Sequence, residues 1–201
     1  MKIRLWAVRL DRPLTAEEAA ALLELLPPAR RERLLRTREA ARREPLCAYG
    51  ALVLALREVC GWPRLPALAY AERGKPWFPA FPAVRFSLSH TEGAVLAGLS
   101  DSPLGVDIER TRPVSRRLQE RMAPGGTEED LFRVWVRREA RTKRTGAGIG
   151  SALREEPPME AEETYWELEP FPGYIAGVSG TGELGPLTTY PQEEFLRALL
   201  A

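Results

Sequence analysis

The sequence predicts an α+β fold made of two similar halves, each a small, mainly antiparallel sheet packed on a long helix. Three observations predict it. Two long stretches, 39–60 and 127–144, read as helices. Short strand-like runs divided by turn residues follow each of them. Finally, Gly93-Ala94-Val95-Leu96-Ala97-Gly98-Leu99-Ser100 is echoed by Gly173-Tyr174-Ile175-Ala176-Gly177-Val178-Ser179. The echo suggests a pseudo-duplicated chain divided near 100–102, giving halves 1–101 and 102–201.

The elements follow in order. Residues 2–9 alternate as a strand and end at Asp11-Arg12-Pro13. Thr15 with Glu18 forms the signature of a capping box, opening a helix over 16–26 that Pro27-Pro28 stops. Arginines crowd positions 30, 31, 33, 36, 38, 42 and 43. The long helix 39–60 presents Leu46, Tyr49, Val53 and Leu56 on one face; Pro45 either kinks it or marks its true first turn. Gly61-Trp62-Pro63 ends it. Residues 68–70 form a weak strand, and Arg73-Gly74-Lys75-Pro76 a turn. Strands at 84–89, 94–100 and 104–109 are divided by Thr91-Glu92-Gly93 and Asp101-Ser102-Pro103. A short helix covers 115–121. Thr127 with Asp130 caps the second long helix, which Gly146-Ala147-Gly148 ends. Strands near 163–169 and 174–179 and a terminal helix from 193 complete the chain.

Composition narrows the function. Hydrophobic residues at 44% and charged residues at 28% describe a soluble globular protein. A net charge of +1 makes any basic site a matter of local clustering. The start of the chain carries no apolar leader, and no run is long enough to span a bilayer, so a cytoplasmic protein without membrane contact is expected. Cys47 and Cys60 share one helix about 20 Å apart, too far for a disulfide, and read as small core hydrophobes. One histidine and no cysteine pair at ligand spacing argue against zinc. No aromatic residue interrupts positions 30–43, which argues against a single-stranded nucleic-acid platform.

Several residues can carry chemistry. Asp107 and Glu109 stand two apart at a strand end, on one face, where two carboxylates repel unless a cation joins them. A hard divalent ion such as Mg²⁺ suits such oxygens; a solvated edge pair is the commoner meaning of this spacing taken alone. Gly105 favours a close backbone approach there. Glu139 and Lys143 share a helix face four residues apart, as a third metal carboxylate with a phosphate-reaching lysine or as a surface pair. His90, the lone histidine, ends a strand beside Ser89, and Lys75 projects from a turn. The arginine run matches phosphate chemistry and a solvated helix face alike.

The order of these signals is the informative feature. Gly74-Lys75-Pro76, Phe86-Ser87-Leu88-Ser89-His90, Gly105-Val106-Asp107-Ile108-Glu109 and Trp135-x-x-Arg138-Glu139-Ala140-x-x-Lys143-x-x-Gly146 resemble, in succession, the motifs of the Sfp-type 4'-phosphopantetheinyl transferases. Met1-Lys2-Ile3 and Asp11-Arg12-Pro13-Leu14 add to the likeness, which fades beyond Gly148. The resemblance implies two halves related by a pseudo-twofold axis with the active site between them. It implies an enzyme that moves phosphopantetheine from coenzyme A to a serine of an apo acyl- or peptidyl-carrier protein, releasing 3',5'-ADP, with Mg²⁺ or Mn²⁺. By motif position, Asp107, Glu109 and Glu139 match the metal ligands, Glu139 also the base for the serine, and Lys143 the lysine near the pyrophosphate. Lys75, Ser89 and His90 match residues around the coenzyme A nucleotide and its phosphates, and Arg30, Arg33 and Arg43 fall toward its 3'-phosphate end. The first half would then recognise the nucleotide and the second carry the carboxylates, in a monomer. Two departures stand out. Arg138 replaces a lysine usual in the family, and 122–134 is short, where the family receives its carrier. The acidic tract 155–169 receives no function and is expected to be solvated.

Overall fold

The computed structural model describes residues 2–147, 156 and 158–201. Met1, Gly148 and Glu155, singled out above, lie outside the described residues. Within them the chain is α+β, with six α-helices and mixed sheets. Strand β1 (Ile3–Arg9) is followed by α1 (Ala16–Glu24), α2 (Pro28–Leu35), a 3-10 turn (Glu39–Ala41) and α3 (Arg43–Cys60). Next come β2 (Ala69–Tyr70), β3 (Pro76–Trp77), β4 (Arg85–Thr91), β5 (Ala94–Ser100) and β6 (Leu104–Arg110). Helices α4 (Arg116–Met122) and α5 (Glu128–Thr145) precede β7 (Thr164–Phe171), β8 (Tyr174–Gly180), β9 (Leu184–Pro191) and α6 (Gln192–Leu200).

One sheet has the order β4-β5-β1-β9 and the other β6-β8-β7. The second is antiparallel throughout. The first is mixed, because β9 pairs parallel with β1 while β1-β5 and β5-β4 are antiparallel. The two sheets face each other across Ile3, Leu5, Ala7, Leu96, Val106, Ile108 and Val178. On the outer face of the first, Trp6, Val8, Val95 and Leu99 meet α3 and α6. On the outer face of the second, Ile175 meets Leu131, Phe132 and Val136 of α5. Strands β1 and β5 are therefore buried on both faces, so the alternation read over 2–9 gives way to a buried apolar run from Leu5 to Val8.

Capping sets the ends of α1, α3 and α5. Thr15 and Thr127 each close a capping box, with Glu18 and Asp130. Gly61 and Gly146 end α3 and α5 in the left-handed conformation. Pro45 sits in the first turn of α3, where a missing N–H costs nothing.

Three features depart from the sequence reading. Pro27-Pro28 ends α1 but also starts α2, with Pro28 in its first turn. The helix expected over 39–60 is a 3-10 turn followed by a helix that starts at Arg43. Strand β9 was not anticipated, and with it 184–200 returns to the first sheet and its helices. The echoed segments fall on β5 and β8, two fully buried strands that each follow a turn glycine with positive φ.

Candidate active site

Three elements converge beside one cleft. Strand β4 brings Ser89 and His90, β6 brings Asp107 and Glu109, and α5 brings Glu139 and Lys143. The approach of α5 to β6 depends on Gly105. A Cβ there would lie 1.9 Å from the carbonyl oxygen of Ala140 and 2.4 Å from the amide nitrogen of Arg144. No side chain fits between these backbones, so the helix lies directly on the strand that carries Asp107.

A ladder of hydroxyls joins β4 to β6. The amide of Val106 donates to Ser87 Oγ at 3.0 Å. Ser89 Oγ donates to Asp107 Oδ1 at 2.7 Å, and Thr91 Oγ1 to Glu109 Oε2 at 3.0 Å. Ser87 and Thr91 escaped the sequence reading; the signal was a hydroxyl at every second position, Ser87, Ser89 and Thr91.

Charge is concentrated at Asp107. Lys143 Nζ ion-pairs with Asp107 Oδ1 at 2.7 Å and donates to Ser89 Oγ at 2.9 Å. Asp107 Oδ2 and Glu139 Oε1 are both buried without a hydrogen-bond partner. Burial first, then the repulsion of Asp107, pushes Glu139 up to about 6, with Glu109 adding and Lys143 opposing. Unpartnered buried carboxylate oxygens are costly, and a hard divalent cation is the partner that suits them. Glu109 is more committed, since its Oε2 also accepts from Arg112 at 2.9 Å. Among the described residues, no group of three His, Cys, Asp or Glu side chains is set to hold a metal by itself.

The adjoining cleft has a volume of about 260 Å³. Arg30, Lys75, His90, Glu139 and Lys143 line it, with Tyr49 and Pro76 as apolar walls. The Arg30 guanidinium lies 4.3 Å from the Tyr49 ring centroid. Burial, reinforced by Lys143, lowers the pKa of His90. Lys75 is lowered to about 8 by burial and then by Arg85 and Arg144. Arg33 instead stacks over Tyr70 at 5.2 Å. Arg43 pairs with Glu44 at 2.6 Å and lines a different groove, with Pro13 and Leu14. Neither is part of the cleft wall. Arg138 directs Nη1 to Met122 Sδ at 3.7 Å and keeps its Nε buried and unpartnered.

The acidic tract is not simply solvated. Arg133, Arg137, Arg141 and Arg144 form a stripe along α5, and Glu156, Glu160, Glu163, Glu167 and Glu169 pair with them. The innermost pair, Arg141 and Glu163, is buried at 2.8 Å, with Ser179 Oγ donating to the same carboxylate.

No protein-family model matches the chain. It is 26% identical to the 4'-phosphopantetheinyl transferase Sfp of Bacillus subtilis strain 168, across 75% of this chain and 74% of that one. It is 27% identical to the 4'-phosphopantetheinyl transferase ffp of Bacillus subtilis, over the same shares. A shorter match, 33% identical, covers 41% of the chain and 50% of the 4'-phosphopantetheinyl transferase AcpT of Salmonella typhi. Together with the ordered motifs around one cleft, these similarities lead to a single conclusion: the chain is a transferase related to the Sfp-type 4'-phosphopantetheinyl transferases.

Proposed function

We propose that the protein transfers the 4'-phosphopantetheine group from coenzyme A to a serine of an apo acyl- or peptidyl-carrier protein, with release of 3',5'-ADP. The observation that carries this reading is the meeting of two carboxylates with unpartnered oxygens and a lysine beside a cleft of basic side chains. The names of the similar proteins point the same way.

In this reading the cleft takes the coenzyme A nucleotide. Arg30 and His90 face its phosphates, and Arg33 and Arg43 act as flanking cations near the 3'-phosphate end. Asp107 and Glu139 would hold Mg²⁺, or Mn²⁺, with Glu109 as a third ligand; pyrophosphate and water oxygens suit the remaining positions of such an ion. When bound, that cation neutralises charge on the pyrophosphate.

The chain's own groups supply the rest. The serine oxygen attacks the phosphorus that bears pantetheine, and the bond to the 3',5'-ADP oxygen breaks. Glu139, titrating near 6, is ionised at neutral pH and takes the hydroxyl proton. Lys143 has three N–H groups, two of them directed to Ser89 and Asp107, and the third stabilises charge on a phosphate oxygen. Ser89 fixes Asp107 through its hydrogen bond.

The halves 1–101 and 102–201 are read as pseudo-twofold related, with nucleotide recognition in the first and the carboxylates in the second. The equal lengths of α3 and α5, 18 residues each, and the matching strands β5 and β8 support this. The protein is read as a cytoplasmic monomer. Purified protein, coenzyme A and Mg²⁺ should add one phosphopantetheine mass to an apo carrier. No mass gain on acyl, polyketide and peptidyl carriers alike would refute the assignment.

A further inference from the structure

The turn before β3 grips the end of α5. Gly74, at a φ of 86°, directs the chain so that Lys75 turns inward. Lys75 Nζ donates to the carbonyl oxygen of Arg144 at 2.8 Å and to that of Leu104 at 3.1 Å. Arg73 Nη1, from the same turn, donates to the Ala147 carbonyl at 3.0 Å. Arg144 lies in the last turn of α5, where carbonyls have no intrahelical partner and the helix end is negative. Leu104 is the first residue of β6.

One ammonium thus ties two elements together. Asp107 is three residues beyond Leu104, and Lys143 is one residue before Arg144. We infer that Lys75 is a positioning residue, clamping α5 to β6 so that Glu139 and Lys143 meet Asp107. Its bonds go to the protein's own carbonyls, which separates this role from that of a nucleotide ligand. The inference rests on the transferase reading for its catalytic consequence but not for the clamp itself.

Two readouts of Lys75→Met test it. Hydrogen exchange at Gly146 and Ala147, whose amides both bond Thr142 O, should accelerate at least about tenfold as the last turn loosens. Turnover should fall about 100-fold, the cost of slight misplacement of reacting groups, while the coenzyme A Kd changes less than about threefold. Unchanged exchange would overturn the clamp. A weakened Kd with turnover retained would make Lys75 a ligand instead. Faster exchange in Lys75→Met, together with a wild-type protein that transfers nothing, would keep the clamp and discard the transferase reading. Should Lys75→Met fail to fold, Lys75→Gln keeps an uncharged N–H donor group and should give intermediate values of both readouts; wild-type values of both would overturn the inference.

Discussion

Lys143 ion-pairs with Asp107, 36 positions away, at 2.7 Å. Glu139, one turn back on the same helix, keeps an oxygen without a hydrogen-bond partner. An i,i+4 reading of the helix pairs Glu139 with Lys143. The fold instead gives the lysine to a buried strand carboxylate and leaves the glutamate free for other work.

Asp107→Ala should remove at least about 99% of transferase activity, a loss on the scale of deleting one preorganised charged group. Far-UV circular dichroism should stay native, because Asp107 contributes polar contacts rather than core volume. Activity near wild type would remove Asp107 from the reaction.

Glu139→Gln should separate stability from function. The carboxyl titrates near 6 in the folded chain against an ordinary 4.5. A raised carboxyl pKa means that the folded state binds the proton more tightly. The penalty is therefore absent below pH 4.5, grows as pH rises, and is complete above 6, at about 2 kcal/mol. The neutral amide escapes it. The variant should melt several degrees higher than wild type at pH 7, at about 2–4 °C per kcal/mol, and lose that advantage at pH 4. Its transferase activity should be lost at both. Calorimetric melts at the two pH values check the sign.

Gly105→Ala should cost about 3 kcal/mol or more, since its Cβ would meet two backbone atoms and neither is free to swing aside. Urea denaturation reads this directly. Any folded fraction should be inactive, because α5 would stand off the strand that bears Asp107.

Glu163→Gln leaves the Arg141 guanidinium, with a side chain only 5% exposed, without its main counter-charge. Breaking a buried pair in this way costs about 3 kcal/mol. An equal loss from Arg141→Met and from the double variant would show that the pair acts as a unit.

Much of this architecture was legible from local pattern. Capping boxes at Thr15 and Thr127, the terminal glycines 61 and 146, and the hairpin turns marked their elements because each rests on chemistry within a few residues. Gly105 was legible as a close approach, though not what would approach. Strand β9 was hidden by Gly185, Pro186 and Pro191, which read as loop residues; at the edge of a sheet prolines are tolerated. Helix α2 was hidden because Pro28 signals a stop and a start equally. The partners of the acidic tract depended on α5 presenting Arg133, Arg137, Arg141 and Arg144 to β7 and the segment before it, a tertiary fact no window of sequence contains. In the candidate site, motif order brought together Ser89, His90, Asp107, Glu139 and Lys143. Composition alone did not separate Arg30, on the cleft wall, from Arg33 and Arg43, away from it.

The most direct test of the central claim is anomalous diffraction from crystals soaked with Mn²⁺ and coenzyme A. The account predicts one manganese peak bridging the Asp107 and Glu139 carboxylates to the pyrophosphate, with the nucleotide against Arg30 and His90. Coenzyme A bound elsewhere, or manganese absent from that pair while the nucleotide fills the cleft, would contradict it.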